Sequence, residues 1–442
     1  MHSICSKASL IMTALGWLAL PLALSLLSWP ASVLTSPPPA LSHDSALQQQ
    51  LAQEVTCSSG KPTRSSDSLF LGSGDEQHLL HMEFQFSELT SNQSSFDFRT
   101  YDPDGIIFYG DVGKGNWFVL GLREGKLEVQ MNNANGQMLL SKWGPHISDG
   151  TWRKVTVDSG TNTIEVRVDG ELVVKLIHHV SPQPSAQVPS QLSIVVGNLP
   201  AGSDNQLIKP IQPALDGCMR NWAWVKKDAR VLEEALNTDE NRRCFEQESP
   251  GSFFPSNGYV VFKPEMLHTI DIETWGLSVK LLFRVVENGG ILLVLRDGSK
   301  VSALTVALDC QKKALTMALG GNLMHSESLP EHVCAGHWEF RELHIKTSEI
   351  NGNQTKYTVL WDVKPADLKA LKDVWLDPAA QLFVGGIPDN SPDYEPYFSG
   401  CLKLTVQGRA VSLDLAQYKH PHVRTHSCPQ GTEIKPCSWV EP

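Results

Sequence analysis

Two acidic residues, Asp102 and Asp104, flank a proline and precede Gly105. Carboxylate oxygens paired in a tight turn are the ligands that a hard cation such as calcium prefers. The same sequence is also typical of an Asx turn, in which the Asp102 carboxylate accepts hydrogen bonds from the backbone that follows. The sequence therefore offers a candidate calcium site, and its alternative is an ordinary capped turn.

One stretch of the chain occurs twice, as FRTYDPDGI from Phe98 and as FRVVENGGI from Phe283. Two copies of one scaffold share their packing needs, so polar residues present in the first copy alone are not explained by packing. Ser94 is such a residue because it aligns with Val279, and Asn133 aligns near a pair of glycines. This difference predicts a binding site in the first copy.

The elements that would position these residues are short β-strands. Apolar and polar residues alternate in 163–168, which is the period of a half-buried strand, and Asp169-Gly170 follows as a hairpin turn. Many short strands with turns at regular spacing predict an all-β fold of two tandem β-sandwiches. Residues 228–240 read as a short linking helix, and the three prolines in 181–190 predict a surface loop.

The 442 residues are too many for one ordinary core, so two to three domains are expected. The apolar start predicts a signal peptide, although it is also long enough for a membrane anchor. We predict a signal peptide in 1–34, a flexible segment in 35–80, sandwiches in 81–246 and 247–430, and a tail in 431–442.

Of nine cysteines, Cys5 lies in the leader and eight remain, an even number that is typical of disulfides in a secreted chain. A Gly-Cys pair recurs in both copies, and the next cysteine follows at nearly the same distance. Cys57 and Cys437 are left over. The predicted disulfides are Cys218–Cys244 and Cys401–Cys428. Cys310–Cys334 is a candidate third pair, and the pairing of these two cysteines with Cys57 and Cys437 stays open.

Several function classes are disfavoured by the sequence. The net charge is −11 and no basic stripe is visible, so a nucleic-acid partner is not expected. No second apolar span follows the leader, so the mature form is predicted to lack a membrane span. The sequence contains no G-x-S-x-G, H-E-x-x-H or P-loop motif, and we predict that the protein is not an enzyme.

The motifs FRT-x-D-P-x-G, DGTW, VDGE and ALDGC, found between residues 98 and 218, resemble those of the laminin G-like domain family. The resemblance covers roughly 82–430 and implies two jelly-roll sandwiches. Within the family, the chain resembles members that carry sex steroids in plasma. It thus implies a secreted homodimer that binds androgens and estrogens. The alternative is an extracellular adhesion or receptor-ligand module that binds proteins or glycans.

The resemblance also implies roles for the polar residues of the first copy. Ser94 would donate a hydrogen bond to the ring-A ketone of a steroid. Asn133 would lie at the opposite, ring-D end together with Asn116, which stands where the family has an aspartate. The implied walls of the slot are Phe118, Ser159 and Leu192, of which the last two stand where the family often has methionine.

For metals, the resemblance implies calcium held by Asp102, Asp104 and the backbone carbonyl of Ala214. No zinc site is expected, because Ala134 stands where zinc-binding relatives have a histidine. The adjacent His178 and His179 would point to opposite faces of a strand and make a poor ligand pair.

Two glycosylation sequons occur, at Asn92 and Asn353. Asn353 is expected at a polar hairpin tip and is the better acceptor. A glycan on Asn92 would crowd the neighbouring Ser94.

Overall fold

The computed structural model describes residues 62–72, 79–133, 135–179, 191–225, 229–267, 276–287, 289–346, 358–389 and 394–430. Several predictions therefore fall outside the described residues. These are the signal peptide, the tail from 431, the loop 181–190, Ala134, the sequon at Asn353 and the cysteines Cys57 and Cys437.

The first half of the chain folds into a sandwich of two antiparallel sheets. Its strands are β1 Arg64–Phe70, β2 Leu80–Gln85, β3 Gln93–Thr100, β4 Gly105–Asp111, β5 Trp117–Arg123, β6 Lys126–Asn132, β7 Met138–Lys142, β8 Arg153–Ser159, β9 Thr163–Val168, β10 Glu171–Ile177, β11 Gln191–Val196, β12 Gly217–Ala223 and β13 Arg243–Phe245. One sheet has the order β10-β9-β8-β3-β12-β1-β13, and the other has the order β2-β11-β4-β5-β6-β7.

The second half repeats this architecture. Its strands are β14 Glu248–Pro250, β15 Ser252–Phe254, β16 Val260–Phe262, β17 Leu277–Val285, β18 Gly290–Arg296, β19 Ser302–Asp309, β20 Ala314–Leu319, β21 Asn322–Ser328, β22 Glu339–Lys346, β23 Thr358–Asp362, β24 Gln381–Val384, β25 Gly400–Val406, β26 Arg409–Ala410, β27 Tyr418–Lys419 and β28 Ser427–Pro429. One sheet runs β15-β25-β17-β22-β23 with β26 beside β25, and the other runs β21-β20-β19-β18-β24-β16-β27.

The predicted all-β fold is confirmed, and two short α-helices accompany the strands in the described part of the chain. The first, α1 Arg230–Thr238, lies within the predicted linking helix and buries Leu232 and Leu236. The second, α2 Pro365–Trp375, begins with a proline in its first turn, where the missing N–H is not needed. None of the helices in the described ranges is long and apolar enough to cross a bilayer.

The expectation of a flexible segment over 35–80 is wrong for its later part, because residues 64–70 form β1. This strand pairs with β12 and β13, which lie far along the chain. Leu69 and Phe70 are buried in the first sandwich. The first four residues of β1, 64–67, are polar and at least partly exposed, which explains why this part of the sequence resembles a linker.

The structure contains the disulfides Cys218–Cys244, Cys310–Cys334 and Cys401–Cys428. The first and third confirm the two predicted pairs, and the second is the candidate pair that the sequence left open. The first and third lie at equivalent places in the two sandwiches, and each is beside the buried arginine of the repeated Phe-Arg pair. Arg99 contacts the sulfur of Cys218, and Arg284 contacts both sulfurs of the Cys401–Cys428 bridge.

A cluster of buried charges joins Arg424 to the first sandwich. Arg424 is 1% exposed, and its guanidinium donates to the backbone carbonyls of Asn241 and Arg243. Glu248 accepts from Arg99 at 3.2 Å and lies 3.5 Å from Arg424. Burial lowers the pKa of Arg424 to about 9, and the carboxylate of Glu248 opposes that shift.

We predict that Glu248→Gln destabilises the protein strongly. The substitution leaves two buried guanidinium groups without their shared carboxylate, and breaking a buried pair in this way typically costs about 3–5 kcal/mol. The measurement is the free energy of unfolding in urea. Glu331→Gln, which breaks an exposed pair with Lys313, is the control and should have little effect. Equal effects of the two variants would contradict a structural role for this charge cluster.

Candidate functional site

A cavity of about 390 Å³ lies between the two sheets of the first sandwich. This volume is within the range of small-molecule sites. The walls are mainly apolar and aromatic. The lining residues include Ser94, Phe108, Gly110, Asn116, Phe118, Met131, Asn133, Ser159, Ile164, His178, Leu192 and Val225. All six residues predicted for the steroid slot are among them.

Ser94 is held on the inner face of β3, where alternate residues are buried. Its Oγ accepts a hydrogen bond of 3.0 Å from the backbone N–H of Val225. Val225 has a φ of 43°, a conformation that β-branched residues avoid, so this bond helps to fix a strained wall residue. Because the Ser94 oxygen acts as acceptor here, its O–H is left to donate to a ligand.

Aromatic rings form one wall. The rings of Phe118 and Phe108 are 5.5 Å apart, and Trp224 meets Phe108 edge-on at 5.2 Å. Phe118 is only partly buried because one side of its ring borders the cavity. Leu192 on β11 adds an aliphatic surface.

Ser159 lies at the rim, at the end of β8. It is exposed. Its backbone N–H donates to the backbone carbonyl of Asn92, and its own carbonyl accepts from the side-chain amide of Asn92. Ser159 thus borders the opening rather than forming an apolar inner wall.

The two asparagines lie together, because the pairing of Trp117 with Asn132 brings the start of β5 beside the turn after β6. Asn116 is half-buried. Asn133 is buried, and its Oδ1 accepts from the N–H groups of Asn135 and Gln137. Its Nδ2 donates to Gln137 and to the carbonyl of His179. Asn133 therefore has its hydrogen bonds committed to the turn.

Gly110 and His178 are among the lining residues that sequence reasoning did not assign to the slot. Gly110 faces the cavity from β4, and a methyl group added there would meet nothing closer than 4.0 Å. The repeat carries the signal, because Gly110 aligns with Leu295, a fully buried core residue of the second sandwich. Ser94 likewise aligns with the buried Val279. The second sandwich thus fills positions that the first leaves small or polar.

The candidate metal turn has the geometry of a capped turn. The Asp102 carboxylate accepts from the N–H groups of Asp104 and Asp216, and Asp104 accepts from Glu124. The carbonyl of Ala214 lies close beside Gly105. The carboxylate oxygens of Asp102 and Asp104 and this carbonyl are oxygen ligands of the kind that a hard cation prefers.

The second sandwich adds two groups to this turn that the sequence did not indicate. His426 Nε2 lies 3.4 Å from the Asp102 carboxylate and 2.8 Å from that of Asp414. Burial raises the pKa of Asp102 to about 7, an effect that His426 opposes. The pKa of His426 is raised to about 9, because the surrounding carboxylates outweigh its burial. A protonated imidazole is thus able to neutralise these acids, as a cation would.

Comparisons with known proteins agree with this architecture. Sex hormone-binding globulin of Crocuta crocuta is 32% identical over 351 residues, which are 79% of this chain and 86% of that protein. The human protein of the same name is 32% identical over 364 residues, with 81% and 86% covered. Growth arrest-specific protein 6 of Mus musculus is 29% identical over 395 residues, 84% of this chain but only 58% of that protein.

Among solved structures, the LG4-5 domains of the mouse laminin alpha1 chain superpose with a TM-score of 0.57. That match has 20% sequence identity and covers 86% of this chain and all of the other, so it supports the fold alone. Family models described as Laminin G domain match residues 98–230 and 283–409. The chain therefore belongs to the laminin G domain family and carries two such domains in tandem.

Proposed function

We propose that this protein is a carrier that reversibly binds a sex steroid in the cavity of its first laminin G domain. The observation that carries the proposal is an apolar cavity between the sheets, lined by Ser94, whose hydroxyl can donate a hydrogen bond to a ligand. The relatives named sex hormone-binding globulin support this choice of ligand. The mechanism involves burial and hydrogen bonding, with no catalytic step.

The apolar walls would supply most of the binding energy. A steroid is a rigid, largely apolar slab, and burial of such surface contributes about 25 cal/mol per Å². Its polar ends need partners inside the protein, since an unpaired buried polar group costs about 1–3 kcal/mol. We assign Ser94 to the ring-A ketone and Asn116 to the opposite half of the cavity. Asn133 would orient the turn at that end, because binding a ligand directly would cost it a turn bond.

The three disulfides favour an oxidising compartment, and we propose that the protein acts outside the cell. An extracellular carrier must load and release its ligand without covalent chemistry. A non-covalent cavity that opens near Ser159 and Asn92 fits this requirement.

Replacing Ser94 by Ala should weaken the binding of a tritiated androgen that has a ring-A ketone by about tenfold, because the ketone loses its donor. Ser95→Ala is the matched control, since Ser95 is adjacent but not among the cavity-lining residues. The measurement is equilibrium dialysis of the secreted protein. Unchanged affinity in the Ser94 variant would remove this residue from the site.

Gly110→Leu in the same assay tests the cavity itself. The new side chain would fill the cavity much as Leu295 fills the second sandwich, so steroid binding should be lost while urea unfolding stays cooperative. Gly110→Ala has room for its methyl group and should bind nearly as wild type. Full binding by the leucine variant would place the ligand elsewhere. Absence of steroid binding by the wild-type protein would favour the adhesion alternative.

We also propose a homodimer formed through one side of the first domain. There β7 and β10 are the edge strands of the two sheets, and Gly144 packs on Val173 to bring them together. Unpaired edge strands readily pair with a second chain. The apolar side chains exposed on or beside these strands are Met138, Leu140, Trp143, Leu172 and Ile177.

Leu140→Lys should therefore convert the protein from dimer to monomer in sedimentation equilibrium, because it places a charge in the contact. Leu323→Lys, at an exposed position of the second domain, is the control and should leave the mass unchanged. A monomeric wild-type protein would reject the dimer.

We further propose that the turn at Asp102 binds calcium through Asp102, Asp104 and the carbonyl of Ala214. Asp414 is close enough to Asp102 to supply a further carboxylate. The ion would neutralise the carboxylates of Asp102 and Asp414, which otherwise pair with His426.

Calcium should raise the thermal unfolding midpoint of the chelator-treated protein, because an ion bound only by the folded state stabilises it by about 2.7 kcal/mol at a hundredfold excess over Kd. Asp104→Asn should abolish this rise, and Asp67→Asn, at an exposed position on β1, should not. An equal rise in all three proteins would indicate that the ion binds elsewhere.

A further inference from the structure

His178 follows the last residue of β10 and lines the cavity. It is 8% exposed, and its Nδ1 has no hydrogen-bond partner. Among the described residues that line the cavity, His178 alone has a buried side-chain nitrogen or oxygen without a partner. Within the described residues, the lining thus contains one buried polar atom that makes no hydrogen bond at all.

The position of His178 is fixed by its backbone and by the next residue. Its N–H donates to the carbonyl of Asn162 at 2.9 Å. The carbonyl of His179 accepts from the side-chain amides of Asn133 and Asn135. The backbone N–H of His179 donates to the side-chain oxygen of Gln137. The turn at residues 133–137, to which the Asn133 side chain is hydrogen-bonded, therefore fixes the position of His179, the residue after His178.

His178 and Ser94 reach the cavity from separate places on the same sheet. Ser94 lies on β3 and His178 lies at the end of β10, with β8 and β9 between them. Three interstrand spacings of about 4.8 Å separate these strands by roughly 14 Å. A long, rigid ligand bound at Ser94 would extend toward His178.

The imidazole of His178 is suited to an uncharged polar partner. Burial lowers its pKa, and the neighbouring His179 lowers it further, which favours the neutral ring. A neutral imidazole has one nitrogen that donates and one that accepts, and the two tautomers exchange these roles. Either a hydroxyl or a ketone could therefore satisfy it. Without such a partner, the buried nitrogen loses a hydrogen bond that it makes with water in the unfolded chain.

We propose that His178 is a specificity-determining residue that hydrogen-bonds the oxygen at the end of the ligand remote from Ser94. The cavity would then select molecules with an oxygen at each end and would accept that distal oxygen as a hydroxyl or as a ketone. This role for His178 rests on the proposed steroid-binding function.

The test compares two androgens that share the ring-A ketone, one with a ring-D hydroxyl and the other with no oxygen on ring D. His178→Leu should weaken binding of the hydroxylated steroid by about tenfold and leave binding of the other unchanged or tighter. His178→Gln, which keeps a donor and an acceptor, should recover part of the loss. His179→Leu is the matched control, since that side chain is exposed, and should bind both steroids as wild type does.

Failure of the two proposals can be told apart. A wild-type protein that binds neither androgen rejects the steroid function, and the role of His178 is rejected with it. A wild-type protein that binds both, with His178→Leu weakening both equally or neither, rejects the role of His178 alone.

A second measurement does not depend on the folding of a variant. In nitrogen-15 spectra of the wild-type histidines, the hydroxylated androgen should shift the His178 ring nitrogens more than the androgen that lacks the hydroxyl. Equal shifts with the two ligands would overturn the proposal.

Discussion

Two sheets packed face to face lie about 10 Å apart, and side chains from both must fill the space between them. The second domain meets this requirement with large aliphatic residues, among them Leu295 and Val279. The first domain has Gly110 and Ser94 at the same places in the repeat, and a cavity remains. The difference between a packed module and a binding module thus depends on a few inward-facing side chains. The strand framework is shared by both.

A cavity weakens the packing around it, so the rest of the first domain must compensate. The disulfide Cys218–Cys244 and the buried cluster of Arg99, Glu248 and Arg424 lie outside the cavity lining. Arg99 donates to the carbonyl of Phe245, as Arg284 donates to that of Pro429 in the second domain. The repeated Phe-Arg pair therefore fixes the end of each sandwich to its own sheet. It leaves the inner face of the first sheet free to vary.

Much of this architecture could be predicted from the sequence because it depends on local alternation and on the repeat. Two of the disulfides, Cys218–Cys244 and Cys401–Cys428, followed from the Gly-Cys pair that recurs in the sequence, and the helix at 230–238 was anticipated. Strand β1 was missed because its polar half is exposed and its partners are distant in the sequence. The commitment of Asn133 to its turn could not be seen, because it depends on the carbonyl of His179. Gly110 could have been found by aligning it with Leu295.

The segment around residues 424–429 lies close to where the two sandwiches meet. Strand β28 pairs with β14, which directly follows the first domain, and Arg424 is buried against Phe70 and Phe245 of that domain. Arg424 is therefore synthesised long after Arg99 and Glu248 and completes the charge cluster that they begin. On a ribosome, residues up to Arg424 must have emerged before Glu248 can contact both of its arginines. A fragment cut after the first sandwich would keep the cavity but lack this last contact.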